Sequence, residues 1–467
     1  MLYKGRSEGE LMSFWVRVNS DIDKLSSRVL FCASFLGCGL CRACIGWMLM
    51  LVREVDFMTG TALLSGHHAV DFGELLGFAV AMLLVGRRGP LCRNPLALVG
   101  SLASTICGAS LMYAALVARS VPLFYAGSVL GGFGYATLFL LWLEFYGCLS
   151  PRTMVFAYSC AYLANLFAWL ALSGSSDPVG FLLVAVFAAC STTLLVVSYR
   201  KIPEANRCPS RPAFLGVSWR LVLWISVFAC AYGIGDSITG SGFATMASKV
   251  GMAIPGLIVV FGTLFMKRFD LGSVYQVAFA FMLAGIGLAL FFTSFPVLSQ
   301  MLMSAANESY CMLAFVVACT YAYRTKTSAA LYCGVLAASS LFFTQVGLLA
   351  GRSIVTPETS AAVSFAVVMT IVVATSFLFK ERHLAEKVQL ERVDKSLEEE
   401  RLLRICDEKS FTVREQTIFL MLVRGKRTVD ISDELFISQS TVRTHVGKIY
   451  EKLQVHSRQE FDALVKQ

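Results

Sequence analysis

The sequence predicts an all-α protein in two parts: a polytopic membrane bundle of about twelve helices in two six-helix halves, then a C-terminal four-helix head containing a helix-turn-helix. Three observations predict it. Hydrophobic residues make up 56% of the 467-residue chain and charged residues only 15%, with a mean hydropathy of +0.67. A soluble fold has no interior large enough for that much apolar surface, so a bilayer must solvate most of it. Charge is sparse from Arg28 to Phe379 and dense in both signs from Lys380 to Gln467, which implies two regions in two solvents. Within the last sixty or so residues the apolar positions change to short, capped helical stripes.

Apolar stretches long enough to cross a bilayer are expected at 29–52, 72–86, 96–117, 123–146, 154–173, 179–198, 220–240, 250–266, 272–294, 296–321, 328–349 and 361–379. The second and eighth are short, and a helix at either place can begin earlier, within the preceding connector. Alternate connectors are basic: Arg87, Arg88 and Arg93; Arg152; Arg200, Lys201, Arg207 and Arg211; Lys267 and Arg268; Arg324 and Lys326. The opposite connectors hold only Arg53, Arg119, Lys249 and Arg352. The Lys/Arg bias puts the first set in the cytoplasm, together with a basic tail over 1–28. An even number of spans returns the C-terminus to the same side. No cleavable signal peptide is expected, since the first twenty-eight residues lack a small-residue cleavage site.

Ionisable groups inside spans are costly, so Arg42, Glu144, Asp236 and the pair Asn307-Glu308 are the candidate cavity residues of the membrane domain over 29–379. They fall on the first, fourth, seventh and tenth helices. The cysteines lie mostly in apolar stretches and read as small hydrophobes. Cys38-x-x-Cys41-x-x-Cys44 is read as helix packing rather than a metal site, and Gly127-x-x-x-Gly131 as a close helix contact. No phosphate loop, nucleophile–base arrangement or zinc motif appears; neither an enzyme nor a cofactor is expected.

Residues 380–406 read as a charged helical linker, with Glu391–Lys395 and Glu400–Arg404 at i,i+4 spacing. The head occupies 407–467. Thr412 and Glu415 form a capping box before an apolar stripe of Ile418, Phe419 and Leu422, and Gly425 ends that helix. A second helix spans about Thr428 to Leu435. Ser438 caps a third, in which Val442, Val446, Ile449 and Leu453 share a buried face. Its opposite face offers Gln439, Ser440, Arg443, Thr444 and Lys448. Arg suits bidentate contact with guanine edges and Thr suits a thymine methyl or a phosphate. Lys448, Lys452 and Arg458 are placed for the phosphate backbone.

The run Thr412-x-Arg414-Glu415, Gly425, Ile431, Leu435-x-Ile437-Ser438-x-x-Thr441-Val442-Arg443-x-His445, Ile449, Lys452-Leu453-x-Val455 and Arg458 closely resembles the LuxR-type helix-turn-helix. The resemblance implies a recognition helix with Ser438, Gln439, Ser440, Thr441, Arg443, Thr444 and His445 at the DNA. It also implies base reading through Arg443 and Thr444, and a last helix from Ser457 to Val465 that pairs two copies on double-stranded DNA. Three places depart from the family pattern: Arg427-Thr428 stands where a Ser/Thr-Asn pair is usual, Gln454 replaces a glycine, and Gly447 stands where a base-reading side chain is usual. The twelve spans, their orientation and the basic central connector from Tyr199 to Trp219 resemble the major facilitator fold, in which helices one, four, seven and ten line a central cavity. Arg42 is then expected to pair with Glu308.

The whole chain thus reads as a membrane-embedded one-component transcription regulator of the bacterial cytoplasmic membrane. Lipid, DNA and a small-molecule or ion effector are its expected partners. A secondary transporter carrying a regulatory head is the rival reading, and a bundle that serves only as an anchor is a third.

Overall fold

The computed structural model describes residues 28–59, 66–175, 177–202, 204–208, 219–239, 246–265, 271–291, 294–325 and 327–354, and in the C-terminal region 409–423, 425–435, 437–457 and 459–461, with single positions at 370, 402, 405 and 406. The chain separates into two compact units, Met1–Ala374 and Thr375–Gln467. Among the described residues every regular element is helical.

The first unit contains α1 (Arg28–Thr59), α2 (Gly66–Arg88), α3 (Pro95–Ala118), α4 (Val121–Tyr146), α5 (Pro151–Ser173) and α6 (Asp177–Arg200). After the central connector come α7 (Trp219–Thr239), α8 (Met246–Phe265), α9 (Leu271–Phe291), α10 (Pro296–Thr325) and α11 (Ala329–Ile354). Nine of these are long and apolar enough to cross a membrane, and α7 and α9 hold shorter apolar segments, Leu221–Ser237 and Gln276–Ala289. The protein is a multi-pass membrane protein. The expected twelfth span, 361–379, lies outside the described residues except for Thr370. Both short spans begin earlier than their apolar runs do. As a result α2 takes in Asp71 and α8 takes in Lys249, which hydropathy had left in connectors.

Helix starts follow local chemistry. Pro95 opens α3 beside Asn94, whose side chain accepts the Leu96 amide at 3.0 Å, and prolines also stand in the first turn of α4 and α5. Among the described residues, five helices of each half pack in the same pattern. In the first half α4 packs on α2 and α3, and α1 packs on α5; in the second, α10 packs on α8 and α9, and α7 on α11. The halves touch along two seams, α2 against α11 and α5 against α8. Small residues set the closest crossings. A Cβ on Gly108 would fall 2.3 Å from the Gly131 nitrogen, and one on Gly256 would fall 2.6 Å from the Ser159 carbonyl. Neither helix pair can approach so closely with larger residues.

The second unit has α12 (Val413–Val423), α13 (Thr428–Leu435) and α14 (Gln439–Leu453). Ile418, Phe419, Ile431, Val442, Ile449 and Phe461 form its buried core. Leu402 and Cys406, from the end of the expected linker, are buried in the same core.

Candidate functional site

In the head, α12 starts as the capping box requires. The Thr412 amide donates to Glu415 Oε2 at 2.9 Å, and the Glu415 amide donates to Thr412 Oγ1 at 3.3 Å. Gly425, at φ +80°, takes the left-handed conformation that ends α12. Asp430 accepts the Arg427 amide at the start of α13. Ser438 then caps α14, accepting the Thr441 amide at 3.2 Å.

This geometry divides α14 into two faces. Val442, Ile449 and Leu453 are buried, while Ser438, Gln439, Ser440, Thr441, Arg443, Thr444 and Lys448 are exposed. Thr444 Oγ1 donates to the Ser440 carbonyl at 3.0 Å, which fixes its rotamer. Two expected contacts differ in placement. His445 is half-buried, with Nδ1 enclosed by protein. Lys452 turns inward: its ammonium donates to Glu415 Oε2 at 2.7 Å and to the Ser410 carbonyl at 3.0 Å. A buried carboxylate attracts the lysine more strongly than solvent does. Lys452 and then the Thr412 amide hold the Glu415 carboxyl well below the usual carboxylate range, at about 2. Arg458 lies outside the described residues, as does the final helix beyond Phe461, although the Ser457 hydroxyl already accepts the Glu460 amide at 3.1 Å.

Residues 409–463 match the family described as bacterial regulatory proteins, luxR family. This segment is a LuxR-family DNA-binding domain. It is 46% identical over 54 residues to the uncharacterized transcriptional regulatory protein YvfU of Bacillus subtilis, covering 12% of this chain and 27% of that one. It is 45% identical over 49 residues to the spore germination protein GerE of the same organism, covering 10% of this chain and 66% of that one. The chain therefore spans about a quarter of the first relative and just under two thirds of the second. The likeness to these relatives is confined to this domain.

The bundle has solved neighbours of its own. It aligns with the human organic anion transporter MFSD10 at TM-score 0.54 and 15% identity, covering 75% of this chain and 98% of that one. A bacterial homologue of the iron transporter ferroportin, in an outward-facing state, aligns at 0.54 and 11% over the same shares. The proton:xylose symporter XylE, of the major facilitator superfamily, aligns at 0.52 and 14%, covering 77% of this chain and 96% of that one. At these identities the likeness shows a major-facilitator fold and nothing more.

Between the two halves lies a cavity of about 200 Å³. Arg42, Asn307 and Glu308 line it, with aromatic walls from Tyr135, Phe139 and Phe315. Arg42 donates to Glu308 Oε2 at 2.8 Å, joining α1 to α10, and its guanidinium lies 4.4 Å from the centre of the Tyr162 ring. Glu144 and Asp236 do not line this cavity. Glu144, 1% exposed, accepts the Cys92 amide at 2.8 Å and the Ser328 hydroxyl at 2.7 Å. It thereby ties α4 to the turn after α2 and to the start of α11. Asp236 accepts from Gln300 Nε2 at 2.8 Å, between α7 and α10. Both side chains are drawn away by buried donors that a hydropathy reading cannot locate.

Three ionisable residues of the cavity are new: Asp71, Glu74 and Lys249. Gln345 Nε2 donates to Asp71. Glu74 lies inside the expected second span, where a charge is itself the signal; for Asp71 and Lys249 the signal is length, since apolar runs shorter than about 20 residues require helix on one side or the other. Cys38, Cys41 and Cys44 pack in the core, where the Cys44 thiol donates to the Leu40 and Val184 carbonyls at 3.3 and 3.7 Å.

Proposed function

We propose that this protein is a one-component regulator of the bacterial cytoplasmic membrane, in which occupancy of the cavity between the two halves of the bundle biases promoter binding by the head. Both termini are cytoplasmic, on the Lys/Arg bias of the connectors. Arg443 and Thr444 read base edges in the major groove, and Gln439, Ser440 and Lys448 position the helix on phosphates. Two copies bind a divided site through the last helix. The observation that carries this reading is the exposed face of α14, capped by Ser438 and centred on Arg443, in a chain whose other part is a major-facilitator bundle. Sensing requires that the effector bind two packings of the bundle with different affinity.

Full-length protein in lipid nanodiscs, titrated with DNA from around its own gene over a range of salt, tests the reading. Selective binding is expected above a salt-sensitive background, and Arg443→Ala should abolish the selectivity while leaving the background. Equal affinity for all sequences, in protein shown to be folded, would refute base reading. Uptake of a solute by vesicles bearing the protein would favour the transporter reading instead.

A further inference from the structure

The cavity is electrically polarised between its two seams. At the α2–α11 seam stand Asp71 and Glu74, one helical turn apart, with Gln345 across from them. Gln345 Nε2 is committed to Asp71, and its Oε1 is enclosed with no hydrogen-bond donor. Glu74 makes no hydrogen bond or close ion pair among the described residues. This seam presents acceptors without donors.

At the α5–α8 seam the deficit is reversed. Lys249 is 5% exposed and faces the cavity, and among the described residues its ammonium has only the Met252 thioether, at 4.0 Å. Beside it the Trp169 indole N–H is buried without an acceptor. The two donors converge on Gly46 of α1: a Cβ there would lie 3.4 Å from both Lys249 Nζ and Trp169 Nε1, and 2.8 Å from Trp169 Cδ1. The missing side chain is what lets these donors share one place.

We infer that the cavity takes a compact zwitterion, its ammonium held by Asp71, Glu74 and Gln345 Oε1 and its acid group by Lys249, with the unanswered Trp169 N–H just behind the lining. A buried charge without a partner costs several kcal/mol, and a ligand that answers both deficits at once recovers that cost. A simple cation would leave Lys249 unanswered, and a simple anion would leave the carboxylates so. Arg42 and Glu308, which also line the cavity, are paired with each other. The volume of about 200 Å³ is below the roughly 300–1,000 Å³ usual for drug-sized ligands, which limits the occupant to an amino-acid-sized molecule. Because Glu74 belongs to the first half and Lys249 to the second, such a ligand draws the halves together. This rests on the sensor reading proposed above and supplies the effector's chemical class.

The test uses full-length protein in nanodiscs, with glycine, β-alanine and 4-aminobutyrate as probes of increasing charge separation. Butylamine and butyrate are the single-charge controls, and calorimetry and thermal unfolding are the readouts. At least one zwitterion should bind about tenfold more tightly than either control and raise the Tm. Glu74→Gln and Lys249→Met should each weaken it about tenfold, with Lys249→Arg retaining most of the affinity. Lys249→Met should spare butylamine and Glu74→Gln should spare butyrate. No binding by any zwitterion, equal binding by a control, or variants that bind as well as the parent would overturn the inference. If neither substitution affects binding but both lower the Tm, Glu74 and Lys249 are partners of each other and not of a ligand. DNA titration of the same samples separates the two proposals. Zwitterion binding without any change in DNA affinity sinks the sensor reading alone, whereas DNA binding without zwitterion binding sinks this one alone.

Discussion

Two ion pairs, Arg42–Glu308 in the bundle and Lys452–Glu415 in the head, have nearly equal lengths of 2.8 and 2.7 Å and opposite consequences. In the bundle both side chains are almost wholly withdrawn from solvent, at 10% and 13% exposure, and the guanidinium rests on an aromatic ring. Neither charge has an alternative partner in water. In the head the lysine is one-third exposed and the glutamate has a second commitment to the Thr412 amide. The first pair holds charge where a membrane interior tolerates none. The second finishes a helix cap at a wet surface. The surrounding medium, more than the bond length, decides what an ion pair is worth.

Breaking the bundle pair should produce the largest effect. Arg42→Met leaves Glu308 charged and buried, and should destabilise the full-length protein by about 3–5 kcal/mol in thermal or denaturant unfolding. Replacing both, as Arg42→Met with Glu308→Leu, should recover most of that loss, because no lone charge remains. A double variant as unstable as the single one would mean that the pair contributes net stability beyond mutual neutralisation.

The surface of the head should behave in the opposite way. Arg443→Ala should weaken specific DNA binding by about 1–3 kcal/mol and leave unfolding of the head unchanged, since the side chain is exposed beside the buried Val442. Loss of stability in that variant would show that α14 does not separate its reading face from its core.

The Lys452–Glu415 pair should respond mainly to pH. The folded carboxyl titrates at about 2, below its usual value near 4, so its contribution is fully present above about pH 4 and is lost as pH falls through about 2. Glu415→Gln should remove that acid-limb loss from the pH dependence of head unfolding. Lys452→Met should cost about 1 kcal/mol or less at neutral pH, as expected for a partly exposed pair.

The smallest change should be stabilising. Gln454 closes α14 in the left-handed conformation, at φ 58°, without being a glycine. Gln454→Gly should therefore stabilise the head by about 1 kcal/mol in denaturant titration.

What was legible in the sequence was whatever depends on neighbours along the chain. Bilayer-length apolar runs, the capping box at Thr412, the cap at Ser438 and the two faces of α14 all follow from spacing within one or two turns, and the structure places them so. Cavity residues were legible only in part. Arg42, Asn307 and Glu308 stood out as polar groups in mid-span, but Asp71 and Lys249 sit in first or second turns that hydropathy had assigned to connectors. A window average cannot distinguish a charge just inside a helix from one just outside it.

By itself the sequence determined that this is an all-α membrane protein with a LuxR-family head, and which face of that head meets solvent. Those properties arise from helical periodicity and from the free energy of placing each residue in lipid or water, both local quantities. Only the tertiary structure decided which charges meet. Arg42 meets Glu308 across 266 positions, as the resemblance to the major facilitator fold implied, but Glu144 binds Cys92 and Ser328 instead of facing the cavity, and Lys452 folds back onto Glu415. A buried ionic group is stabilised by the partners that packing brings to it, and in a bundle built from two halves those partners come from the other half as readily as from the next turn.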